Sequence, residues 1–357
     1  MKWLQDIRVI DLSTVLAGPS VASFLGELGA QVIKYESPRF GGDVTRSWRM
    51  AGEQTPPPIS AYFASINYCK SYGTLDLLDP IDREKLMDAL ESCDILISNF
   101  KETDYTKFGI APDVLRTKYP RLIHAQLRGF DSAPERVAYD VVLQAECGMM
   151  ALNGTPDGPP TKFPIAIVDV LAAHQMKESI LLALYQRERN GQGCFIRTSL
   201  EKSGLSGLVN QASNYMMTGM MPQRMGSQHP NIAPYGDIFE CADQQWVVLA
   251  IGSDRQFSDL CEVLSISALC KEERFATNSK RVIHRNDLND AIADAFKSVS
   301  SQSFLQACVE HQIPAGLIRT MDAVIEAAAQ LNMVHHEEIE QVHTSRISGV
   351  AFEILNQ

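Results

Sequence analysis

One carboxylate in this chain stands where a carboxylate is costly. Asp169 interrupts Pro164-Ile-Ala-Ile-Val-Asp-Val-Leu-Ala-Ala173, an apolar run that opens a helix. Two roles fit such a placement. A helix-capping aspartate closes the first turn by accepting a backbone N–H. Alternatively, an aspartate with a reference pKa of about 3.9, ionised at neutral pH, is left free for chemistry. Ala172 stands where a capping box would carry Glu or Gln, so the capping motif is incomplete. A second chemical feature is the turn Ala17-Gly18-Pro19 after the apolar run Arg8–Leu12. Gly18 lets backbone approach a ligand closely, Pro19 suits the first helical position, and the unpaired N–H groups of such a helix start favour an anion. The bland reading of the same turn is a plain strand-to-helix connection. His174, one turn beyond Val170, either faces the same site or is an ordinary satisfied histidine. The methionines Met216, Met217, Met220, Met221 and Met225 either line an apolar ligand pocket or fill core and linker contacts.

Elements that would position these residues follow from hydrophobic patterning. Apolar runs at Arg8–Leu12, Gln31–Glu36, Gly73–Leu77, Asp94–Phe100 and Arg121–Gly129 alternate with helical periodicity, which predicts an α/β, doubly wound, mainly parallel Rossmann-like sheet. Asp79–Ser92 reads as one of the intervening helices. A long helix follows Pro164 and ends at Arg187-Glu-Arg-Asn-Gly191, and another is expected over Glu201–Gly219. Periodicity then breaks over Met220–Pro234, read as a linker and mobile loop. Tyr235–Cys241 and Trp246–Ile251 form a hairpin that opens a second, smaller α+β domain. The expected division is 1–200 for the first domain, 201–225 for a linker helix, 226–325 for the small domain and 326–357 for a segment returning to the first.

Composition narrows the function classes. The chain has 357 residues, 45% of them hydrophobic, enough for two cores. A formal net charge of −11 without clustered Lys and Arg argues against nucleic acid as a partner. Eight scattered cysteines, with no Cys-x-x-Cys pair and no Cys/His cluster at metal spacing, read as reduced, mostly buried thiols and predict no metal. With neither a signal-like start nor an apolar span long enough for a bilayer, the expected location is cytoplasmic, without a membrane partner.

Arg8-Val-Ile-Asp-Leu-Ser-Thr-Val-Leu-Ala-Gly-Pro-Ser20, followed by Gly29-Ala-Gln-Val-Ile-Lys-Tyr-Glu36 and Gly42-Asp43-Val44-Thr45-Arg46, resembles the opening of the class III CoA-transferase family, the group of the formyl-CoA and carnitine CoA-transferases. The resemblance continues in order through Asn99-Phe100, Phe108-Gly109, Tyr139-Asp140, Gln144-Ala145, Gly191-Gln-Gly193, Ala233-Pro-Tyr-Gly236 and Arg274-Phe-Ala276. It implies transfer of coenzyme A from a donor acyl-CoA to a free carboxylic acid, through an aspartyl anhydride and an aspartyl-CoA thioester on Asp169. For coenzyme A it implies contacts from Val15, Ala17, Arg39, Leu75, Asn99, Phe100, Lys107 and Arg136, with Leu16 and Tyr139 in the substrate pocket. It further implies an interlocked homodimer, and a return segment at 326–357 shorter than the family's usual tail.

Two rivals stand beside that reading. Acyl-CoA racemases and isomerases of the same superfamily carry a His before the aspartate that Asp140 matches, and here the residue is Tyr139, a poorer proton shuttle at neutral pH. A non-catalytic CoA-binding subunit of a hetero-oligomeric transferase is the other. A nicotinamide dehydrogenase is disfavoured because Gly-x-Gly-x-x-Gly is missing after the first strand.

Overall fold

The computed structural model describes residues 3–355. In chain order the elements are β1 (Arg8–Asp11), α1 (Ala17–Glu27), β2 (Gln31–Glu36), α2 (Ala61–Ile66), β3 (Ser71–Thr74), α3 (Pro80–Leu90), β4 (Ile95–Ser98), α4 (Glu102–Lys107), α5 (Pro112–Lys118), β5 (Ile123–Arg128), α6 (Asp140–Glu146), α7 (Met149–Leu152), α8 (Ile167–Asn190), β6 (Phe195–Ser199), α9 (Leu200–Ser206) and α10 (Val209–Thr218). There follow β7 (Tyr235–Glu240), β8 (Trp246–Ala250), α11 (Asp254–Val263), α12 (Asn278–Ile283), α13 (Arg285–Phe296), α14 (Ser301–Glu310), β9 (Ala315–Leu317), α15 (Met321–Gln330), β10 (Val334–Ile339) and β11 (Val342–Ile347).

Two compact units result. The first takes the chain up to Met149, Lys162–Gly219 and everything from Glu326 on. Its six-stranded sheet has the order β3-β2-β1-β4-β5-β6, every pair parallel. The expected mainly parallel, doubly wound sheet is therefore observed. Near-continuous apolar strands such as Ile95-Leu96-Ile97 are buried on both faces, as a helix-covered parallel sheet requires. Val21 and Leu25 of α1 pack with Val168, Ala172 and Met176 of α8 on one face, while Leu86 and Leu90 of α3 pack on the other. Strand order reverses between β1 and β4. Ligands of such sheets bind at that reversal, outside the carboxyl ends of the strands.

The second unit comprises Met150–Thr161 and Met220–Ile325. It holds the antiparallel sheet β7-β8-β9, with β7 and β8 forming the predicted hairpin. Phe239 stacks on Phe296 at 5.2 Å between ring centres, within a core that includes Val247, Phe257 and Phe275.

Several local expectations are corrected. A sixth strand, Phe195–Ser199, extends the sheet, and the third strand, read as Gly73–Leu77, starts two residues earlier and ends three earlier, as Ser71–Thr74. The helix expected over Glu201–Gly219 is two helices, α9 and α10, with Gly219 closing the second at φ +69°. Met216, Met217, Met220 and Met221 are exposed and so do not fill a core. The eight cysteines are free, but only Cys147, Cys241, Cys261 and Cys308 are buried, and Cys194 is exposed. No helix among the described residues is long and apolar enough to cross a membrane.

Candidate active site

The helix α8 begins with an electrostatic problem. Its N-cap is Ala166, which has no side chain to satisfy the first N–H groups. Asp140, at the start of α6, does so from a distance: its Oδ1 accepts the N–H of Val168 at 2.7 Å and of Asp169 at 3.3 Å. Gln144, one turn further along α6, donates to Asp140 Oδ2 at 2.6 Å and accepts the N–H of Phe163 at 2.7 Å, pinning the approach to α8. Asp169 is therefore not the cap. It is the third residue of the helix, and its own carboxyl is left for other work.

That carboxyl is 6% exposed. Burial first, and the neighbouring Asp140 second, push its pKa up to about 7. Among the described residues no lysine or arginine counters this rise at Asp169. The aspartate expected to be ionised at neutral pH thus keeps its proton to a much higher pH than an ordinary carboxyl. Tyr62 of α2 stands within its field: burial, then Asp169, Asp140 and Asp43, raise the phenol to about 12, so it stays an O–H donor. Trp48 packs edge-on against Tyr62 at 5.2 Å and lies 6.5 Å from the ring of Tyr139. Tyr139 is 45% exposed, and His174 is exposed on α8.

The β1–α1 loop presents the other predicted residues. Val15 has φ +74°, a left-handed conformation that a β-branched residue adopts only under constraint, at a cost of about 1–3 kcal/mol. Leu16 is the N-cap of α1 and Ala17 its first residue, buried. Gly18 is required by the protein itself: a Cβ there would lie 2.3 Å from the Ser13 hydroxyl. Pro19 is the third helical residue rather than the first. Asn99, after β4, grips the loop with both ends of its amide, accepting from Thr14 N–H at 3.1 Å and donating to Thr14 C=O at 3.0 Å.

Four predicted residues, Arg39, Leu75, Phe100 and Lys107, line one cleft of about 380 Å³ at the carboxyl ends of β1–β3, together with Leu12 and Thr14. Arg39 is exposed and paired with Asp76 at 2.6 Å. An apolar trough with Arg39 and Lys107 beside it suits a ligand that has a flat apolar part and phosphates. Asn99, Phe100 and Arg136 line a second depression of about 190 Å³. Arg136 stacks on Phe130 at 4.3 Å and pairs with Glu146. Phe100 is common to both; Asp169 lines neither.

The family model for CoA-transferase family III matches residues 4–354. The chain belongs to CoA-transferase family III. Among curated relatives, the succinate–glutarate CoA-transferase of Agrobacterium fabrum is 34% identical over 331 residues, 89% of this chain and 80% of that protein. The succinyl-CoA:mesaconate CoA-transferase of Haloarcula hispanica is 33% identical, covering 89% and 81%. The solved CAIB/BAIF family protein from Brucella suis superposes with a TM-score of 0.82 at 33% identity, over 97% of this chain and 91% of that one. This family III CoA-transferase is accordingly an enzyme, and the resemblance of its opening segment marked a relationship that runs almost end to end. Reading by motif missed Tyr62, Trp48 and the capping role of Asp140. The adjacency Tyr139-Asp140 was visible in sequence, but nothing local says that Asp140 closes a helix 28 residues on.

Proposed function

We propose that this protein moves coenzyme A from a donor acyl-CoA to a free carboxylic acid, using Asp169 as a transient covalent carrier. The supporting observation is the buried first-turn carboxyl of α8, poised near neutrality in a family III CoA-transferase. An Asp169 oxygen attacks the thioester carbonyl carbon, the C–S bond breaks and CoA leaves as thiolate, giving a mixed anhydride. The thiolate then attacks Asp169 Cγ, releasing the donor acid and leaving an aspartyl-CoA thioester. An acceptor carboxylate repeats the two steps in reverse. One thioester is consumed and one formed, so no ATP is needed.

A carboxylate is a weak nucleophile, and orientation must supply much of the rate. A well-placed intramolecular attack is worth about 7–11 kcal/mol. In this reading Arg39, Lys107, Leu75 and Phe100 hold the nucleotide end of CoA, Val15, Leu16 and Ala17 face the thioester, and Tyr139 borders the acyl group. Binding energy from the remote nucleotide then serves the reacting bond. The names of the relatives make short dicarboxylates the first acids to try. We place the enzyme in the cytoplasm as a homodimer.

The test is direct. Succinyl-CoA with glutarate, then a panel of acids, should yield the second acyl-CoA without ATP, and Asp169→Ala should lower the rate by at least about a thousandfold. Hydroxylamine should trap an adduct on the Asp169 peptide only when donor is present. Full activity in Asp169→Ala, or exchange of the substrate α-proton with no transfer, would overturn the proposal.

A further inference from the structure

Beneath the β1–α1 loop lies a charged cluster that the transfer scheme leaves unused. Asp11 at the end of β1, Lys34 on β2, Asp43, and Lys70 just before β3 all have side chains with no exposed surface. Lys34 Nζ lies 3.1 Å from Asp43 Oδ2 and 3.8 Å from Asp11 Oδ2. Lys70 Nζ lies 2.8 Å from Asp11 Oδ2. Ion groups taken wholly out of water are retained at a cost, and here every one of them also grips backbone.

The gripped backbone is the loop itself. Lys34 donates to Ser13 C=O at 2.6 Å, and Asp11 Oδ1 accepts from the Ser13 N–H at 2.9 Å and from its hydroxyl. Asp43 Oδ1 accepts from Val15 N–H at 3.3 Å. Lys70 donates to Pro19 C=O in the first turn of α1 and to Asn67 Oδ1, both at 2.9 Å. Val15, at φ +74°, is thus strained in a segment clamped from below on both sides.

We infer that Lys70 is a positioning residue for the transfer reaction: its positive charge, acting through Asp11 and Ser13, locks the strained β1–α1 loop in place, and loss of that charge lets the loop go. The inference rests on the proposed role of that loop in holding the thioester. The groups facing Lys70 are Asp11, Lys34 and Asp43, with the Asn67 amide and the carbonyls of Pro19 and Ile66. Burial, aided by Lys34 and opposed by Asp11 and Asp43, lowers its pKa to about 8. The lock therefore opens as pH rises through that value.

Hydrogen exchange in the full-length protein reads the lock without any substrate. After correction for intrinsic rates, the amides between Ser13 and Ser20 should exchange about tenfold faster at about pH 9 than at about pH 7. Lys70→Arg, which keeps its charge, should abolish the difference. Because a larger group must fit a closed site, Asn67→Asp is the second variant: it is isosteric, it replaces an Nδ2 that has no partner, and it sets a carboxylate beside the ammonium. It should move the release upward by about one pH unit. With succinyl-CoA and glutarate, kcat should fall on the alkaline side near the same pH, and Asn67→Asp should displace that limb equally. An alkaline limb and loop exchange unmoved by both variants would overturn the inference. Loop release as predicted, with no CoA transfer to any acid, would instead count against the proposed function while supporting the lock.

Discussion

Two buried carboxylates of this chain meet opposite fates, and the difference lies in their neighbours. Asp169 and Asp11 are both withdrawn from water. Around Asp169, burial and the second carboxylate of Asp140 push in the same direction, and the group is raised to about 7. Around Asp11, burial pushes upward too, but Lys34 and Lys70 outweigh it and hold the carboxylate below its ordinary range. Desolvation alone does not decide what a buried acid does. A like charge leaves it holding its proton toward neutral pH, and an opposite charge keeps it ionised as scaffold.

The sharpest way to break the comparison is to remove the scaffold acid. Asp11→Ala leaves two buried ammonium groups facing one another, and should cost about 3–5 kcal/mol in urea unfolding. A loss below about 1 kcal/mol would show that Lys34 and Lys70 do not depend on it.

Asp169 should behave in the contrary manner. Because its folded-state pKa lies above the unfolded value, Asp169 contributes stability that is complete below the unfolded value near 3.8 and is lost as pH rises toward about 7. Asp169→Asn should therefore be more stable than the natural protein by about 2–4 kcal/mol at about pH 8, with the gain nearly gone at about pH 4. Equal melting curves at both would contradict the raised value.

A smaller effect tests the like-charge term alone. Asp140→Asn keeps an oxygen to cap α8 but removes the charge, and the acidic limb of kcat/KM should move down by roughly one pH unit. Burial, the larger cause, stays in place, so the limb should not return to the ordinary aspartate range. Smallest of all, Arg39→Ala removes an exposed cation from the cleft rim, and should raise KM for the acyl-CoA by about three- to tenfold with kcat nearly unchanged.

What was legible in the sequence follows the same physics. Gln31–Glu36 appears as a strand with the predicted limits because its register is fixed by neighbours on both sides. Asp169 could be found because a carboxylate in an apolar run is conspicuous. Lys34 hid within the apolar strand around it, and nothing near Lys70 in the chain announces that it meets Asp11, 59 residues away. The strand Phe195–Ser199 escaped notice because Arg197, Thr198 and Ser199 leave it only two apolar residues, so that pairing with β5 rather than local pattern makes it a strand. The hairpin of β10 and β11 was likewise hidden: between their apolar ends the strands carry His335-His-Glu-Glu338 and His343-Thr-Ser-Arg346, polar residues that are half-buried or exposed, so hydrophobic periodicity is weak. Gly18 was recognised as necessary, but its neighbour Ser13 could not be, since only the folded loop brings that side chain against it.

The central claim is that an Asp169 oxygen becomes part of the reaction. An acceptor acid labelled with heavy oxygen in its carboxylate measures this most directly, in a single turnover on enzyme already carrying CoA from the donor. Collapse of the acceptor anhydride leaves the bridging oxygen behind, so peptide mass spectrometry should find the label in the carboxyl of Asp169. Label that passes to the donor acid while Asp169 stays unlabelled would mean that the two acids meet directly, and the covalent account would be wrong.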